Sequence, residues 1–437
     1  MEAAKSKSES KNVARSEEPT KRGLLATLGP GLITGAADDD PSGIATYSQV
    51  GAAYGFHMLW VMLFTYPLMV GIQEISGKIG RASGRGIAGN LRKFYPAWIM
   101  HILIFSMLIA NVINIGADIG AMGAATSLMI KGSPLLFAAI LAVISLVLQI
   151  FAPYDRYTLV LKWMCLALFA YIITAFVVHV HWVTALRSTA IPYFNLKTDF
   201  IVSIVAVLGT TISPYLFFWQ AAEEVEIQKA VPEEKPLRLA PQQADKQLHR
   251  IRVDTLTGMA FSNIVSWFII LVAATTLNAH HVTDIQTATQ AATALKPLAG
   301  RLAYAIFAIG IIGTGLLAVP VLAGSAAYAV GEAFKWPVGL AKDPMRAKRF
   351  YAVLALSMLV GLGMCFAHVS PIKALFWSAV INGVVAGPIM VLMMIMGCNK
   401  KVMGEFTLTK RQLFLGWLAT AVMTVCTVIM FATWGKS

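Results

Sequence analysis

The sequence predicts an all-α, polytopic membrane protein, and three observations carry that prediction. Of 437 residues, 57% are hydrophobic and only 13% are charged, well outside the composition of a soluble globular chain. Apolar runs long enough to cross a bilayer, about 20 residues each, recur along the whole chain. The basic residues, finally, are sorted by loop.

Eleven spans are expected, at about 24-53, 57-77, 97-129, 134-151, 158-180, 200-227, 253-278, 299-330, 350-368, 371-396 and 411-434. The first 22 residues are rich in Lys, Ser and Glu. They read as a disordered cytosolic tail without the apolar core or cleavage site of a signal peptide. Residues 23-437 form one transmembrane domain. Its first span is interrupted: GLLATLGPGLITGAADDDPSGIATYSQVGAAYG places three carboxylates and a Pro-Ser-Gly step inside an apolar run. Spans two to five are continuous. The sixth, FIVSIVAVLGTTISPYLFFWQAAEEVE, is interrupted at Pro214. The linker from Lys229 to Arg252 carries Pro232, Pro236 and Pro241 and suits a cytosolic loop. Spans seven to eleven are again continuous.

With the N-terminus inside, 28 of the 35 Lys and Arg residues fall on the cytosolic side. The other seven are Lys131, Arg187, Lys197, Lys296, Arg301, Lys373 and Lys436. The positive-inside rule therefore sets the N-terminus in the cytoplasm and the C-terminus outside a plasma membrane. The net charge of +13 reports topology and anionic lipid headgroups, with no nucleic-acid partner. Cys165, Cys365, Cys398 and Cys426 stand singly, as small apolar residues do, so no thiolate metal site is expected. No nucleophile stands with a base, which argues against an enzyme and against a resident cofactor. A monomer is expected.

Pro41 and Pro214 each remove a backbone donor and push the preceding residue, Asp40 or Ser213, out of the helical region. Unwound backbone at bilayer depth is tolerated only against protein or a watery cavity. Two breaks five spans apart point to an inverted-repeat transporter with its site near the midplane. Repeat one covers about 23-180 and repeat two about 200-396. The helix at about 411-434 lies outside the repeat.

Buried carboxylates cost roughly 2.5 to 3.5 kcal/mol each on insertion scales, and no Lys or Arg lies in the core of spans one, three, six or ten. A cation is the natural partner for Asp40, with Asp39 beside it. Of Asp38 and Asp39, one is expected to face a vestibule. The remaining oxygens at the breaks come from Gly43, from carbonyls freed near Thr210 and Thr211 and from the Ser213 hydroxyl, with Asn382 in span ten as a further ligand or water holder. Such a set suits Mg2+, Ca2+ or Mn2+ better than a soft metal. Asn114 and Asp118 share one face of span three and, with Glu223, are expected to line the pathway. Glu224 and Glu226 read equally as a cytosolic exit or a solvated helix end. Gln73 and Glu74 are candidates for a gate, Gly310, Gly313 and Gly315 for close helix packing. His280, His281 and His368 are surface residues.

These residues also carry a family resemblance. Gly29 to Gly31 (GPG) followed by Asp40-Pro41 resembles the first-helix signature of the NRAMP divalent-metal transporters. The stretch Gln73 to Gly86 (QEISGKIGRASGRG) is similar to their second-helix end, and the sixth span resembles their second signature. The resemblance implies a LeuT-like fold of five-plus-five inverted repeats and an ion site built on Asp40. The departures are informative. Where the family has Asp-Pro-Gly-Asn, this chain has Asp40, Pro41, Ser42 and Gly43, losing the side-chain amide. Where it has Met-Pro-His, this chain has Ser213, Pro214 and Tyr215, losing thioether and imidazole. Keeping the aspartate without a soft ligand resembles the NRAMP-related magnesium transporter branch. The resemblance implies Mg2+ and Mn2+ as substrates, with Tyr215 lining the pathway. With no His at position 215, proton coupling is not expected; Asp118, Glu223 and Asp40 are the groups that could carry a proton instead. Two alternatives stand: a proton-coupled Mn2+/Fe2+ carrier of the ordinary family type, and an organic solute carrier on the same architecture.

Overall fold

A computed structural model describes residues 34–35, 37–151, 166–340, 342–367 and 370–434. The GPG step, Arg156, Lys162, Cys165, His368 and Lys436 lie outside the described residues. All regular structure among the described residues is helical. Fourteen helices carry the fold: α1 (Pro41–Tyr54), α2 (Leu59–Ser83), α3 (Ile87–Phe94), α4 (Ala97–Met129), α5 (Pro134–Phe151), α6 (Phe169–Val177), α7 (Trp182–Ala190), α8 (Thr198–Thr211), α9 (Pro214–Ala230), α10 (Ala244–Thr276), α11 (Ala303–Ala333), α12 (Lys348–Met364), α13 (Pro371–Cys398) and α14 (Lys410–Thr433).

Nine stretches among the described residues are long and apolar enough to cross a membrane, or up to ten if the bent pair around α6 and α7 is one span. Eleven spans were expected. Two of them, the first and second, run together as Pro41–Ser83 in that count, although a 3-10 turn at Gly55–Met58 separates α1 from α2. The fifth is described only from Leu166 and turns by 120° into α7. Helix α10 starts at Ala244, within the segment expected to be a loop, and its 33 residues extend about 50 Å.

The helices pack in matched pairs. Helix α1 lies on α10, and α9 lies on α2. Helix α5 lies on α4, and α12 on α11. Helices α2 and α10 cross-pair, as do α4 and α11. This is the pattern that two copies of one five-span unit make when each completes the other. Helix α14 packs on α2, α8 and α13.

Prolines occupy two kinds of position. Pro67, Pro320 and Pro388 lie inside continuous helices. Pro41 and Pro214 stand at the first helical turn, and the residues before them are extended: Asp40 at φ −66, ψ 172 and Ser213 at φ −79, ψ 134. The missing N–H costs nothing at a helix start, so these two open new helices.

Small residues set the register around the breaks. A Cβ on Gly35 would come within 2.2 Å of the Gly258 carbonyl, and one on Gly51 within 2.4 Å of the Ile270 carbonyl, so the first span lies backbone to backbone on α10. A Cβ on Gly209 would meet the Ala379 carbonyl at 2.0 Å, locking α8 to α13. Gly315 packs against Met122 and Pro41, which makes the GIIGTG run a close-packing device.

The side that carries the Lys229–Arg252 linker is more ordered than its composition suggests. Arg81 is fully buried and pairs with Glu234, while the Leu237 and Arg238 amides donate to the Arg81 and Ala82 carbonyls. The proline-rich linker is thus docked. Lys78 donates to Gln412 Oε1 at 3.0 Å and to the Thr407 carbonyl at 3.1 Å. Gln412 in turn donates to Glu74 at 2.8 Å, and Gln73 donates to the Leu216 carbonyl at 3.0 Å.

Candidate metal site

Asp40 caps α1. Its Oδ1 accepts from the Gly43 amide at 2.7 Å and from the Ser42 hydroxyl at 2.6 Å. Its Oδ2 accepts from Asn114 Nδ2 at 3.1 Å, and Asn114 Oδ1 accepts from the Ser378 hydroxyl at 2.8 Å. A chain of polar groups therefore runs from the break through α4 to α13. Asp40 is 1% exposed, and Asn114 and Ser378 are fully buried. Gly43 takes part through its amide, which orients the carboxylate.

Asp118 lies one helical turn after Asn114 on the same face of α4. Both its carboxylate oxygens are buried, and Asp40 and the Ser42 backbone face it. No Lys or Arg forms an ion pair with Asp38, Asp39, Asp40 or Asp118 among the described residues. Asn382 is fully buried on α13, and neither its amide nitrogen nor its oxygen has a partner.

The second break closes on itself. The Ser213 hydroxyl donates to the Gly209 carbonyl at 2.7 Å and the Thr210 carbonyl at 2.9 Å. The Thr211 hydroxyl donates to the Val207 carbonyl at 2.9 Å. Carbonyls expected to be freed by the break are thus retaken by neighbouring hydroxyls. Thr210 is the residue of this break that reaches the first: a Cβ on Gly43 would lie 3.1 Å from Thr210 Oγ1. The Tyr215 hydroxyl donates to the Ala37 carbonyl at 3.0 Å, tying the breaks together.

Neither Asp38 nor Asp39 faces a vestibule, because both are at most 1% exposed. Ser262 on α10 lies 2.6 Å from Asp38 Oδ2 and 3.1 Å from Asp39 Oδ1, and Ser266 donates to Asp39 Oδ1 at 3.1 Å. The triplet is split between α4 on one side and α10 on the other. Among the described residues no three carboxylates, imidazoles or thiols converge on one point.

Glu223 is half-buried and close enough to Tyr328 to interact electrostatically. Glu224 is buried and paired with Arg250, and Glu226 accepts from the Tyr328 hydroxyl and the Leu340 amide. The glutamate run is therefore a structured helix end, in place of the solvated end that was one of its two readings. His280 and His281 are exposed. A cavity of about 590 Å3 lies at the far end of α1, between Gln49, Tyr54, Asp199, Asp284 and Lys373.

Ser262, Ser266, Ser378 and Tyr47 were missed as site residues. Ser262 and Ser266 stand four apart in a run whose other polar residue is Asn263, a spacing that puts both serines on one helix face. That was the available signal.

Comparison with known proteins is consistent across sequence and structure. The chain is 24% identical over 417 residues to the divalent metal cation transporter MntH of Bacillus subtilis, covering 94% of this chain and 92% of that one. It is 25% identical over 412 residues to MntH of Deinococcus radiodurans, covering 92% and 88%. Among solved structures, a manganese transporter of Eremococcus coleocola in complex with an aromatic bis-isothiourea compound superposes with a TM-score of 0.75 at 15% identity, covering 96% of this chain and 90% of that one. The all-α, LeuT-like fold is shared. Residues 31–433 match the family model described as Natural resistance-associated macrophage protein-like, and the chain belongs to this Nramp family.

Proposed function

We propose that this chain is a secondary-type transporter that moves hard divalent cations, Mg2+ first and Mn2+ with it, into the cell by alternating access. The observation that carries the reading is Asp40: a buried carboxylate at a helix break whose partners are a hydroxyl, a backbone amide and a side-chain amide. Positions 213 and 215 contribute hydroxyls, with no thioether or imidazole. Hard oxygen surroundings hold Mg2+ without favouring softer metals over it. The curated relatives are named divalent metal cation transporters, which supports the cation class.

In this reading Asp40 is the principal ligand. Thr210, Thr211, Ser213 and Asn382 are further oxygen donors or water holders, whereas Asp39 stands beside this ion with its carboxylate turned to α10. Tyr215, Asn114, Asp118 and Glu223 line the pathway. Mg2+ releases its waters reluctantly and demands octahedral geometry at about 2.0 to 2.1 Å, so it is carried partly hydrated. Around Gly43 a side chain would meet Asp38, Thr210 and Tyr47 at 3.1 to 3.2 Å. Room for a hydrated ion therefore comes from displacing α8 and α9 relative to α1. The membrane potential drives entry, about 2.3 kcal/mol per charge per 100 mV. The carrier works as a monomer in the plasma membrane, N-terminus inside and C-terminus outside, with repeats at about 23-180 and 200-396.

The test is uptake into reconstituted vesicles with Mg2+, Mn2+ and Ca2+ compared. Mg2+ flux at millimolar concentration supports the proposal, and Mn2+ flux unaffected by excess Mg2+ sinks it.

One observation favours a second reading, a Mn2+/Fe2+ carrier of the ordinary family type. The Met122 sulfur and Pro41 both border Gly315, 2.6 and 3.2 Å from where a Cβ on that glycine would lie. Met122 lies on the α4 face of Asn114 and Asp118, so a thioether reaches the break from a different helix. Met122→Leu separates the readings: loss of Mn2+ transport with Mg2+ transport intact assigns the sulfur a ligand role.

A further inference from the structure

Asp38 and Asp39 remain unused by the site built on Asp40. Both are buried, and both turn to the opposite side, onto α10. There Ser262 has one proton and two carboxylates within reach, at 2.6 and 3.1 Å, so it can donate to only one of them. Ser266 supplies a second hydroxyl. The outer oxygens, Asp38 Oδ1 and Asp39 Oδ2, have no hydrogen bond. The Tyr47 hydroxyl is also fully buried, and it faces both carboxylates and Ser266.

Adjacent like charges repel strongly in a low-dielectric interior, and among the described residues no basic side chain is paired with either. The geometry is held firmly, because Gly258, Ser262, Ser266 and Ile270 recur every four residues on one face of α10 and the first span packs on that face without intervening side chains.

We propose that Asp38, Asp39, Tyr47, Ser262 and Ser266 form a second site for a hard divalent cation, distinct from Asp40. The donor set is oxygen only, which suits Mg2+, Mn2+ or Ca2+. Two carboxylates match the charge of one divalent ion, whereas a monovalent ion would leave one buried negative charge. The site faces α10, and Asp40 faces α4 and α13, so the two ions have separate ligands. An ion here neutralises the carboxylate pair and pins the unwound segment of the first span to α10.

Equilibrium dialysis of the purified full-length protein against Mn2+, with bound metal counted per chain, tests this. The expected result is two ions in the wild type and one in each of two variants, Asp40→Asn and the double variant Asp38→Asn with Asp39→Asn. The ion kept by the double variant reports that it is folded. Ser262→Ala combined with Ser266→Ala should weaken one of the two sites about tenfold. A double variant that still binds two ions, or a wild type whose one ion disappears in Asp40→Asn, overturns the proposal. Displacement of one Mn2+ by stoichiometric Na+ overturns the divalent assignment. If Asp40→Asn keeps both ions while the double variant loses one, the second site stands and the reading of Asp40 fails.

Discussion

The two helix breaks share a backbone plan and differ in chemistry. Each places a proline at the start of a new helix after an extended residue, yet the first break carries Asp40 and the second carries Ser213. Asp40 reaches outward, to Asn114 on another helix, whereas Ser213 bonds back to the Gly209 and Thr210 carbonyls. Repetition thus supplies two openings in the bilayer interior, and only one of them holds charge. The second is joined to the first through Tyr215 and the Ala37 carbonyl. A thioether or imidazole at the second break would favour softer metals. Here the neutral break contributes hydroxyls that are already committed to its own backbone.

The largest effect is expected at the charged break. Asp40→Asn keeps the shape and most of the capping but removes the charge, and Mg2+ uptake into vesicles should fall by more than about 100-fold, beyond what loss of an outer-shell partner costs. Uptake within a few fold of wild type would remove Asp40 from the mechanism. Next comes the chain behind it. Asn114→Ala should lower uptake about 10- to 100-fold, and Ser378→Ala less, because Ser378 acts only through Asn114. Equal losses in single and double variants would show that the two residues act as one unit.

At the neutral break, Ser213→Met tests the difference directly. A thioether restored there should raise the preference for Mn2+ over Mg2+ about tenfold, equivalent to about 1.4 kcal/mol, measured by competition uptake. Unchanged preference would mean that position 213 does not face the ion.

The sequence made some of this legible and hid the rest for physical reasons. Helices α4 and α5 fall at 97–129 and 134–151, as expected from hydropathy, because a bilayer enforces long uninterrupted runs. The first break was readable because three carboxylates interrupt an apolar run just before its proline. Proline alone was no guide, since Pro67, Pro320 and Pro388 lie within helices. The partners of the aspartates were hidden: Ser262, Ser266 and Ser378 are small hydroxyls in apolar helices, indistinguishable there from packing residues. The split of the triplet followed from the close approach of Gly35 and Gly258, which joins residues 223 apart in sequence. The pairing of Arg81 with Glu234 was equally invisible, since charges near a helix end look solvated until a loop folds over them.

The smallest expected effect is none at all, and it concerns protons. Obligatory coupling requires a group that changes protonation once per cycle in step with the ion, and a histidine beside the site is the usual physical device. Tyr215 stands at that position and its proton is engaged with the Ala37 carbonyl; an ordinary tyrosine titrates only near pH 10. Asp118 is the strongest competing candidate, buried next to Asp40 and the Ser42 backbone. Vesicles loaded with a pH-sensitive dye and held at a clamped potential decide between them. Added Mg2+ should enter without a sustained change in internal pH. Metal-dependent acidification that vanishes in Asp118→Asn while uptake persists would show that the charged break moves a proton as well as an ion.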